Sequence, residues 1–273
     1  MSLRLIIVAL LLLGVGTAQA GCPRIVSQAP YITKSLQWLG LQPCIVGVSR
    51  YDTLDLPRTG GVLDPDAEAL DVLQPQLMFN ADWLDAKKWQ SLAPKGAQAI
   101  TLHGFESMAQ VEENLRVIGH AANQADTDMR VAGFARQWRA EAARVHGNRR
   151  RVLLLSACSG MPYSFGHDSW LYDLFTQAGF DVVENETKLR HLRPGETIAD
   201  IGMLADTLRA DVLFVFERKA AQQCQLIRPK RPLRIVTLDG DHFLHPAPVL
   251  LEGLAELREK RSQWSVADAA SLQ

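Results

Sequence analysis

Several features that identify common enzymes and nucleic-acid-binding proteins are missing from this sequence of 273 residues. It contains no phosphate-binding GxxxxGK[ST] motif, no nucleophile-elbow GxSxG motif and no zinc-protease HExxH motif. The formal net charge is −1 at pH 7, so the chain lacks the basic excess that binds nucleic acid. We therefore expect a globular protein that is neither an enzyme nor a nucleic-acid-binding protein.

Long hydrophobic runs are confined to the N-terminus. Arg4 precedes an apolar run over residues 5–13, and residues 17–20 end in the small-x-small pattern that signal peptidase recognises before Gly21. A membrane-spanning helix needs about 20 apolar residues, which excludes this run as an anchor. We interpret residues 1–20 as a cleavable signal peptide and expect the mature chain in the periplasm.

Cysteine is also scarce, with four residues and no CxxC pair. In an exported protein such cysteines are expected to form disulfides. Cys22 and Cys44 each precede a predicted strand, whereas Cys158 ends one strand and Cys224 follows another. Of the three possible pairings we predict Cys22–Cys44 and Cys158–Cys224. Lipidation of Cys22 is the alternative, although Gln19 stands where a lipobox has an aliphatic residue.

Short apolar strands alternate with helices on both sides of one long predicted helix. That helix is predicted over residues 126–145, where Met129, Phe134 and Trp138 recur at helical spacing and Arg130 lies on the polar side. Strands that alternate with helices predict parallel sheets. We predict an α/β protein of two lobes bridged by this helix. The predicted domains are a signal peptide (1–20), an N-terminal lobe (21–122), the inter-lobe helix (123–148) and a C-terminal lobe (149–273).

Proteins built on parallel sheets bind their ligands outside the carboxyl ends of the strands. We therefore predict a ligand cleft between the two lobes. The predicted strands are residues 24–27, 45–49, 76–80, 98–102, 151–157, 180–184, 211–217 and 233–238. The predicted helices, besides the long one, are residues 33–39, 66–73, 86–92, 107–119, 169–178, 197–208 and 249–264.

The order of several short segments carries a family resemblance. These segments are RIVSQAP at 24–30, IVGV at 45–48, Gly60-Gly61, DAE at 66–68, LQPQL at 73–77, Tyr163 to Gly166 before SWL at 169–171, RADVL at 209–213 and Leu238-Asp239. In this order and spacing they resemble the periplasmic binding proteins for cobalamin, iron-siderophores and haem, over nearly the whole mature chain.

That resemblance implies a function as well as a fold. Such proteins are not enzymes and have two lobes joined by one long helix. They capture a metal chelate and deliver it to the permease of an ABC importer. We expect a monomer without a resident cofactor, whose ligand is a corrinoid such as cobalamin ahead of a siderophore or haem.

The resemblance also implies where a permease would bind. Glu68 lies seven residues before Pro75 and matches the surface glutamate that docks onto permease arginines. The equivalent position of the second lobe is Met203, so the nearby Asp200 is only a substitute. This departure favours an alternative, a sensor or scaffold of the same fold that does not dock on a permease.

Aromatic side chains give large, rigid contact area to a flat chelate, and arginines bind carboxylate or phosphate groups. The predicted topology brings such residues to the strand ends, whereas Trp170 is expected in the core. The ligand-binding candidates are Tyr31, Arg50, Tyr51, Trp83, His103, Phe105, Tyr163, Phe165, Arg190, Glu217, Arg218, His242 and Phe243.

A further alternative is a bare metal ion held by cleft histidines. His242 and His245 lie close to Asp239 and Asp241 in the sequence, and His103 would reach across the cleft. Imidazole and carboxylate are common metal ligands, but this spacing matches no established metal motif.

Overall fold

The structure is a computed structural model that describes residues 22–157, 161–195, 197–217 and 227–265. No helix in these ranges is long and apolar enough to cross a lipid bilayer. Cys158, Cys224 and Arg218 lie outside the described residues, so the Cys158–Cys224 disulfide and the ligand-binding role of Arg218 stay predictions.

The first lobe is built on a four-stranded parallel sheet with the strand order β2-β1-β3-β4. Its strands are β1 (Ile25–Ser27), β2 (Ile45–Val48), β3 (Leu77–Ala81) and β4 (Gln98–Leu102). Its helices are α1 (Pro30–Trp38), α2 (Ala67–Leu73), α3 (Ala86–Ser91) and α4 (Met108–Ala121). Asp66, Asp85 and Ser107 cap the last three helices by accepting a hydrogen bond from a backbone N–H of the first turn.

The disulfide predicted at the amino ends of the first two strands is present. Cys22 and Cys44 are bonded, with their Cα atoms 5.5 Å apart. The pairing follows from the parallel register of β1 and β2, which aligns Ile25 with Ile45. This disulfide and lipidation of Cys22 are mutually exclusive, because both use the same sulfur.

The second lobe contains a six-stranded mixed sheet. Its strands are β5 (Arg151–Leu155), β6 (Tyr163–Ser164), β7 (Asp181–Val182), β8 (Arg190–His191), β9 (Val212–Phe216) and β10 (Arg234–Leu238). Strands β10, β9, β5 and β7 are parallel, as predicted. Strands β6 and β8 run antiparallel and were not predicted, because two residues are too short to show a period-2 pattern.

The helices of the second lobe, with the long helix that precedes it, complete the architecture. They are α5 (Thr127–Ala143), α6 (Trp170–Gln177), α7 (Ile201–Thr207), α8 (Gly240–Phe243), α9 (Leu250–Glu259) and α10 (Arg261–Trp264). The long helix α5 was predicted, whereas α8 is a single turn that sequence periodicity did not indicate.

Each sheet has one face covered by helices of its own lobe and one face in a core that both lobes share. Leu70 of α2 and Trp89 of α3 cover one face of the first sheet, and Leu204 of α7 covers one face of the second. The opposite faces share a single core that runs from α1 and α4 through Phe134 of α5 to α6 and Phe214 of β9. We call the faces covered by α2, α3 and α7 the outer faces. The lobes are therefore joined by continuous apolar packing as well as by α5.

The long helix differs in detail from its predicted pattern. Met129, predicted on the apolar side, is 70% exposed. Arg130, predicted on the polar side, donates to the carbonyl oxygens of Trp38 and Leu39 and lies over the Trp38 ring. Helical spacing identified the buried Phe134 and Trp138, but the first turn of α5 packs against the end of α1 through its arginine.

Candidate ligand-binding cleft

The carboxyl edges of the two sheets meet where the loop after β4 contacts the start of α6. The backbone N–H of Trp170 donates to the carbonyl oxygen of Phe105 over 2.8 Å. At the first residue of α4, the backbone N–H of Met108 donates to Asp173 Oδ2 over 2.9 Å. The Trp170 indole N–H donates to the carbonyl oxygen of Phe243 over 2.9 Å. These bonds fix the floor of the cleft between the lobes.

A continuous chain of aromatic rings crosses this floor from one lobe to the other. In the first lobe the Phe105 ring lies 4.9 Å from Tyr31 and 5.6 Å from Trp83, centroid to centroid. It lies 6.2 Å from Trp170 of the second lobe. From there the chain continues through Phe165 at 5.7 Å and Tyr163 at a further 5.4 Å. Five of the predicted ligand residues are thus brought together, namely Tyr31, Trp83, Phe105, Tyr163 and Phe165.

Tyr31 contributes a buried hydroxyl to this chain. Its side chain lies in the first turn of α1, and its hydroxyl has no hydrogen-bond partner among the described residues. Burial, and secondarily the charge of Asp82, raise the pKa of Tyr31 well above its ordinary value. The hydroxyl therefore stays protonated at physiological pH, and its oxygen is enclosed by protein.

Asp82 organises the rim beside Tyr31. Its carboxylate accepts a hydrogen bond from the backbone N–H of Gly104 over 3.2 Å and lies 3.5 Å from His103 Nδ1. His103 is otherwise exposed, which fits its predicted place at the cleft edge. Asp82 was not among the predicted residues, although its position directly after β3 could have indicated it.

Large apolar side chains are exposed on the loops at both carboxyl edges. Tyr51 is 62% exposed and Trp83 is 60% exposed, and both follow strands of the first sheet. Met161 and Leu189, which were not predicted, are exposed on the second lobe next to β6 and β8. Exposed apolar groups indicate a binding surface where they form one contiguous patch, whereas single ones are common on any protein. Because methionine and leucine carry no distinctive chemistry, no sequence pattern indicated these two residues.

The two described arginines among the candidates are both paired with carboxylates of this chain. Arg50 Nη2 lies 2.5 Å from Asp64 Oδ2 at the surface. Arg190 of β8 donates to both carboxylate oxygens of Glu184, whose side chain is fully buried, and to Asn185 Oδ1. Burial alone would raise the pKa of Glu184, but the hydrogen bonds from Arg190, Ser164 and a backbone N–H outweigh it and lower that pKa. Arg190 is thus a structural residue of the second lobe.

Two predicted ligand residues belong to the core. Phe165 is 1% exposed and Phe243 is 0% exposed, and both pack against Phe216. Both residues were predicted at strand ends that face the cleft, but neither ring forms the surface of the cleft. Tyr163, in contrast, is half-buried and also contacts the His191 ring at 5.5 Å. Burial raises the pKa of Tyr163, and a hydrogen bond with Ser156 partly offsets this.

A polar cavity of about 600 Å³ lies beside the carboxyl ends of β9 and β10. His242 lines it, with Nδ1 2.9 Å from Glu256 and Nε2 3.4 Å from Glu252, and Glu217 lies in the same wall. Lys260 pairs with Glu256 at 2.7 Å. Among the described residues no group of three or more histidine, cysteine, aspartate or glutamate side chains is arranged to hold a metal ion.

The residues predicted to dock on a permease lie on the outer faces. Glu68 is exposed in the first turn of α2. Asp200 is exposed too, but its side chain caps α7 by accepting from the backbone N–H of Met203 over 2.8 Å. Met203 itself is 44% exposed at the position equivalent to Glu68.

Comparison with known proteins agrees with this fold. No protein-family model and no curated protein matches the sequence. Solved structures of two-lobed periplasmic binding proteins do match the chain, which confirms for the fold the resemblance predicted from the sequence. The chain therefore has the architecture of this class of substrate-binding protein.

Three of these structures illustrate the range of ligands. The periplasmic vitamin B12 binding protein BtuF of Vibrio cholerae is 15% identical, with a TM-score of 0.66 over 88% of this chain and 97% of that one. The periplasmic heme-binding protein BhuT, in complex with two hemes, is 17% identical, with a TM-score of 0.71 over 89% and 98%. The siderophore-binding protein BauB, bound to ferric iron and two acinetobactin molecules, is 17% identical, with a TM-score of 0.65 over 90% and 94%.

Proposed function

We propose that this protein captures a metal chelate in the periplasm and delivers it to the permease of an ABC importer. The observation that carries this proposal is the aromatic chain from Trp83 and Tyr31 through Phe105 to the second lobe. A flat macrocycle placed over these rings gains a large apolar contact at little entropic cost, because each ring is already held by its neighbours.

A corrinoid fits this surface better than a haem or a catecholate siderophore. Haem carries two propionates and a ferric catecholate carries several negative charges, so both need cationic groups that are free to pair with them. Arg50 and Arg190 are instead neutralised by Asp64 and Glu184. Cobalamin presents mainly amide groups around its corrin ring, and these need no free cationic partner.

The candidate residues then take different roles. Tyr51, Trp83, Phe105 and Tyr163 provide ring surface, and Tyr31 supports the Phe105 ring from within the first lobe. His103, Glu217 and His242 lie at the edges and would contact polar substituents of the ligand.

Titration of the mature protein with four chelates tests the proposal. Tryptophan fluorescence and absorbance are followed as cyanocobalamin, haem, a ferric hydroxamate and a ferric catecholate are added in parallel. We expect saturable binding of cyanocobalamin with a dissociation constant in the micromolar range or tighter. Saturation by haem or a siderophore alone would keep the chelate function and replace the ligand, whereas no binding of any chelate would refute the function.

A pair of variants locates the site. Trp83→Ala removes an exposed ring next to Phe105 and should weaken cyanocobalamin binding about tenfold, which corresponds to ~1.4 kcal/mol. Met129→Ala removes a side chain of similar exposure on α5, away from the strand ends, and should leave the affinity unchanged. Equal effects of the two substitutions would place the ligand elsewhere.

Permease docking is tested separately from ligand binding. Glu68→Arg should leave the chelate affinity intact and reduce transport, because the side chain lies on the outer face of the first lobe. The exposed Met203 favours the second candidate, a sensor or scaffold without permease docking. That candidate requires that the liganded protein bind no permease in reconstituted membranes.

A further inference from the structure

The loop between β2 and α2 crosses the carboxyl edge of the first sheet. The backbone N–H of Thr59 donates to the carbonyl oxygen of Val48, at the end of β2, over 2.9 Å. Further along the loop, the carbonyl oxygen of Val62 accepts from the side chain of Asn80 in β3. We call residues 59–64 the wall loop. Because β1 lies between β2 and β3, the wall loop also covers the carboxyl end of β1, on the side where the cleft lies.

A buried carboxamide at the end of β1 holds the first half of the wall loop. Gln28 directly follows β1 and is 0% exposed. Its amide nitrogen donates to the carbonyl oxygens of Thr59, over 2.7 Å, and Gly61, over 3.0 Å. Its amide oxygen accepts from the Thr59 hydroxyl over 2.8 Å. The wall loop therefore uses both the nitrogen and the oxygen of this side chain.

A second buried carboxamide holds the other half of the loop. Asn80 is also 0% exposed, and its amide nitrogen donates to the carbonyl oxygen of Val62 over 3.1 Å. Its amide oxygen accepts from the backbone N–H of Ala81 over 2.8 Å. Carboxamides at the carboxyl ends of strands are well placed to bind a ligand. Because neither Gln28 nor Asn80 is exposed, neither can contact a ligand directly.

The wall loop fixes two apolar side chains that are exposed. The backbone N–H of Arg50 donates to the carbonyl oxygen of Gly60 over 2.7 Å, which ties the turn that carries Tyr51 to the loop. A Cβ atom added to Gly61 would lie 3.3 Å from Tyr51 Cε2, so the edge of the Tyr51 ring lies close to the loop backbone. Leu63, in the same loop, is 59% exposed. The positions of Tyr51 and Leu63 thus depend on the wall loop.

We infer that Leu63 is a ligand contact, and that Gln28 and Asn80 are positioning residues that hold Leu63 and the Tyr51 ring as one preformed apolar wall of the cleft. This inference rests on the proposed function. A preformed wall raises affinity because no loop has to be ordered when the ligand binds. The two amides therefore act on ligand affinity through Tyr51 and Leu63.

A role in folding alone is the competing explanation, since buried hydrogen bonds also stabilise a protein. The two explanations differ in one measurable respect. If the amides act on stability alone, the ligand affinity of the folded protein does not depend on them. If they position the wall, their effect on affinity disappears once Tyr51 and Leu63 are truncated.

A double-mutant cycle in the full mature protein separates the two explanations. Gln28→Met keeps the length of the side chain and removes its hydrogen-bond donors. Affinity for cyanocobalamin, or for whichever chelate saturates the native protein, is measured by calorimetry in the native and Y51A/L63A backgrounds. We expect Gln28→Met to weaken binding about fivefold in the native background and less than about twofold in the Y51A/L63A background. Equal losses in both backgrounds, or no loss in either, would overturn the positioning role.

The contact made by Leu63 is tested by a single substitution. Leu63→Ala should weaken chelate binding about threefold, because it removes apolar area from the wall and leaves the loop backbone in place. An unchanged affinity would refute Leu63 as a ligand contact.

Hydrogen exchange gives a readout that needs no ligand. The backbone N–H groups of Arg50 and Asp66 donate to carbonyl oxygens of the wall loop, those of Gly60 and Thr59. Gln28→Met should speed the exchange of these two amides about tenfold, since the loop can then open locally. If their exchange is as slow as in the native protein, Gln28 does not position the loop.

Trp89→Phe is the matched control. Trp89 is 0% exposed on the outer face of the same lobe, and its indole N–H donates to the carbonyl oxygen of Ile100 over 3.3 Å. The substitution also removes a buried donor to the backbone, but far from the wall loop. Chelate affinity and the exchange of the Arg50 and Asp66 amides should stay unchanged. A loss of affinity equal to that of Gln28→Met would show that general destabilisation causes both, and the inference would fail.

Failure of the inference can be told apart from failure of the proposed function. If the native protein binds a chelate but the cycle shows no coupling, the function stands and the positioning role is overturned. If the native protein binds none of the four chelates, the proposed function is refuted and the inference falls with it.

Discussion

The ion pair between Glu184 and Arg190 makes a quantitative prediction about stability. The Glu184 side chain is fully buried and that of Arg190 is mostly buried. The substitution Arg190→Met keeps much of the arginine's length and removes the charge, which leaves the Glu184 carboxylate with Ser164 and the backbone N–H groups of Asn185 and Glu186. Removal of one partner of a buried pair costs about 3–5 kcal/mol, a large part of the ~5–15 kcal/mol by which proteins are stable.

The cost should depend on pH in a defined direction. In the native protein the pKa of Glu184 is lowered, so its contribution is complete at neutral pH and is lost as the pH falls below the ordinary range of glutamate, about 4.3. In the variant the buried, unpaired carboxyl takes up a proton at a higher pH and is then no longer charged. The difference in unfolding free energy between the two proteins should therefore be largest near pH 7 and decrease towards pH 4.

Urea unfolding at several pH values measures this difference. The control is the double variant E184Q/R190M, which removes both charges and should recover most of the stability lost in Arg190→Met. A loss below ~1 kcal/mol that does not change with pH would refute the structural role assigned to Arg190. An unchanged chelate affinity would show in addition that Arg190 does not contact the ligand.

Three further predictions concern the cleft and the frame around it. Phe105→Ala removes three ring contacts, so it should lower the unfolding free energy by about 2–4 kcal/mol and weaken chelate binding. Phe105→Leu should have intermediate effects. If both variants were as stable as the native protein, the aromatic chain would not contribute to stability as described. Cys44→Ser opens a disulfide that joins residues 22 positions apart and should lower the unfolding free energy, measured in urea, by about 3 kcal/mol; an unchanged value would contradict a stabilising Cys22–Cys44 bond. X-ray scattering should show almost the same radius of gyration with and without ligand, because the lobes share one core, and a clear compaction would contradict this.

Much of the fold could be predicted because its signals are local. The capping residues Asp66 and Ser107 precede apolar runs, and the parallel strands are short, apolar and separated by helices. The Cys22–Cys44 disulfide follows from two neighbouring strands in register. These features can be predicted from the order of the segments along the chain.

The orientation of individual side chains could not be predicted in the same way. Phe105 and Phe243 both follow strands, yet one lies in the cleft floor and the other is buried against Phe175 and Phe216. Likewise Arg190 follows the pattern of a ligand residue, but its partner Glu184 becomes its neighbour only once β8 has turned back beside β6. These differences arise from how the chain turns and how its segments pack in three dimensions, which a local sequence pattern does not record.

The apolar packing that crosses from one lobe to the other also determines how the chain folds. Residues 22–122 expressed alone would expose the apolar face of α4 that α5 covers, including Leu115 and Ile118. Neither half is then a stable unit, and the whole chain should unfold in a single cooperative transition. A substitution deep in one lobe, far from the strand ends, will consequently lower the fraction of molecules in which the opposite wall of the cleft is formed.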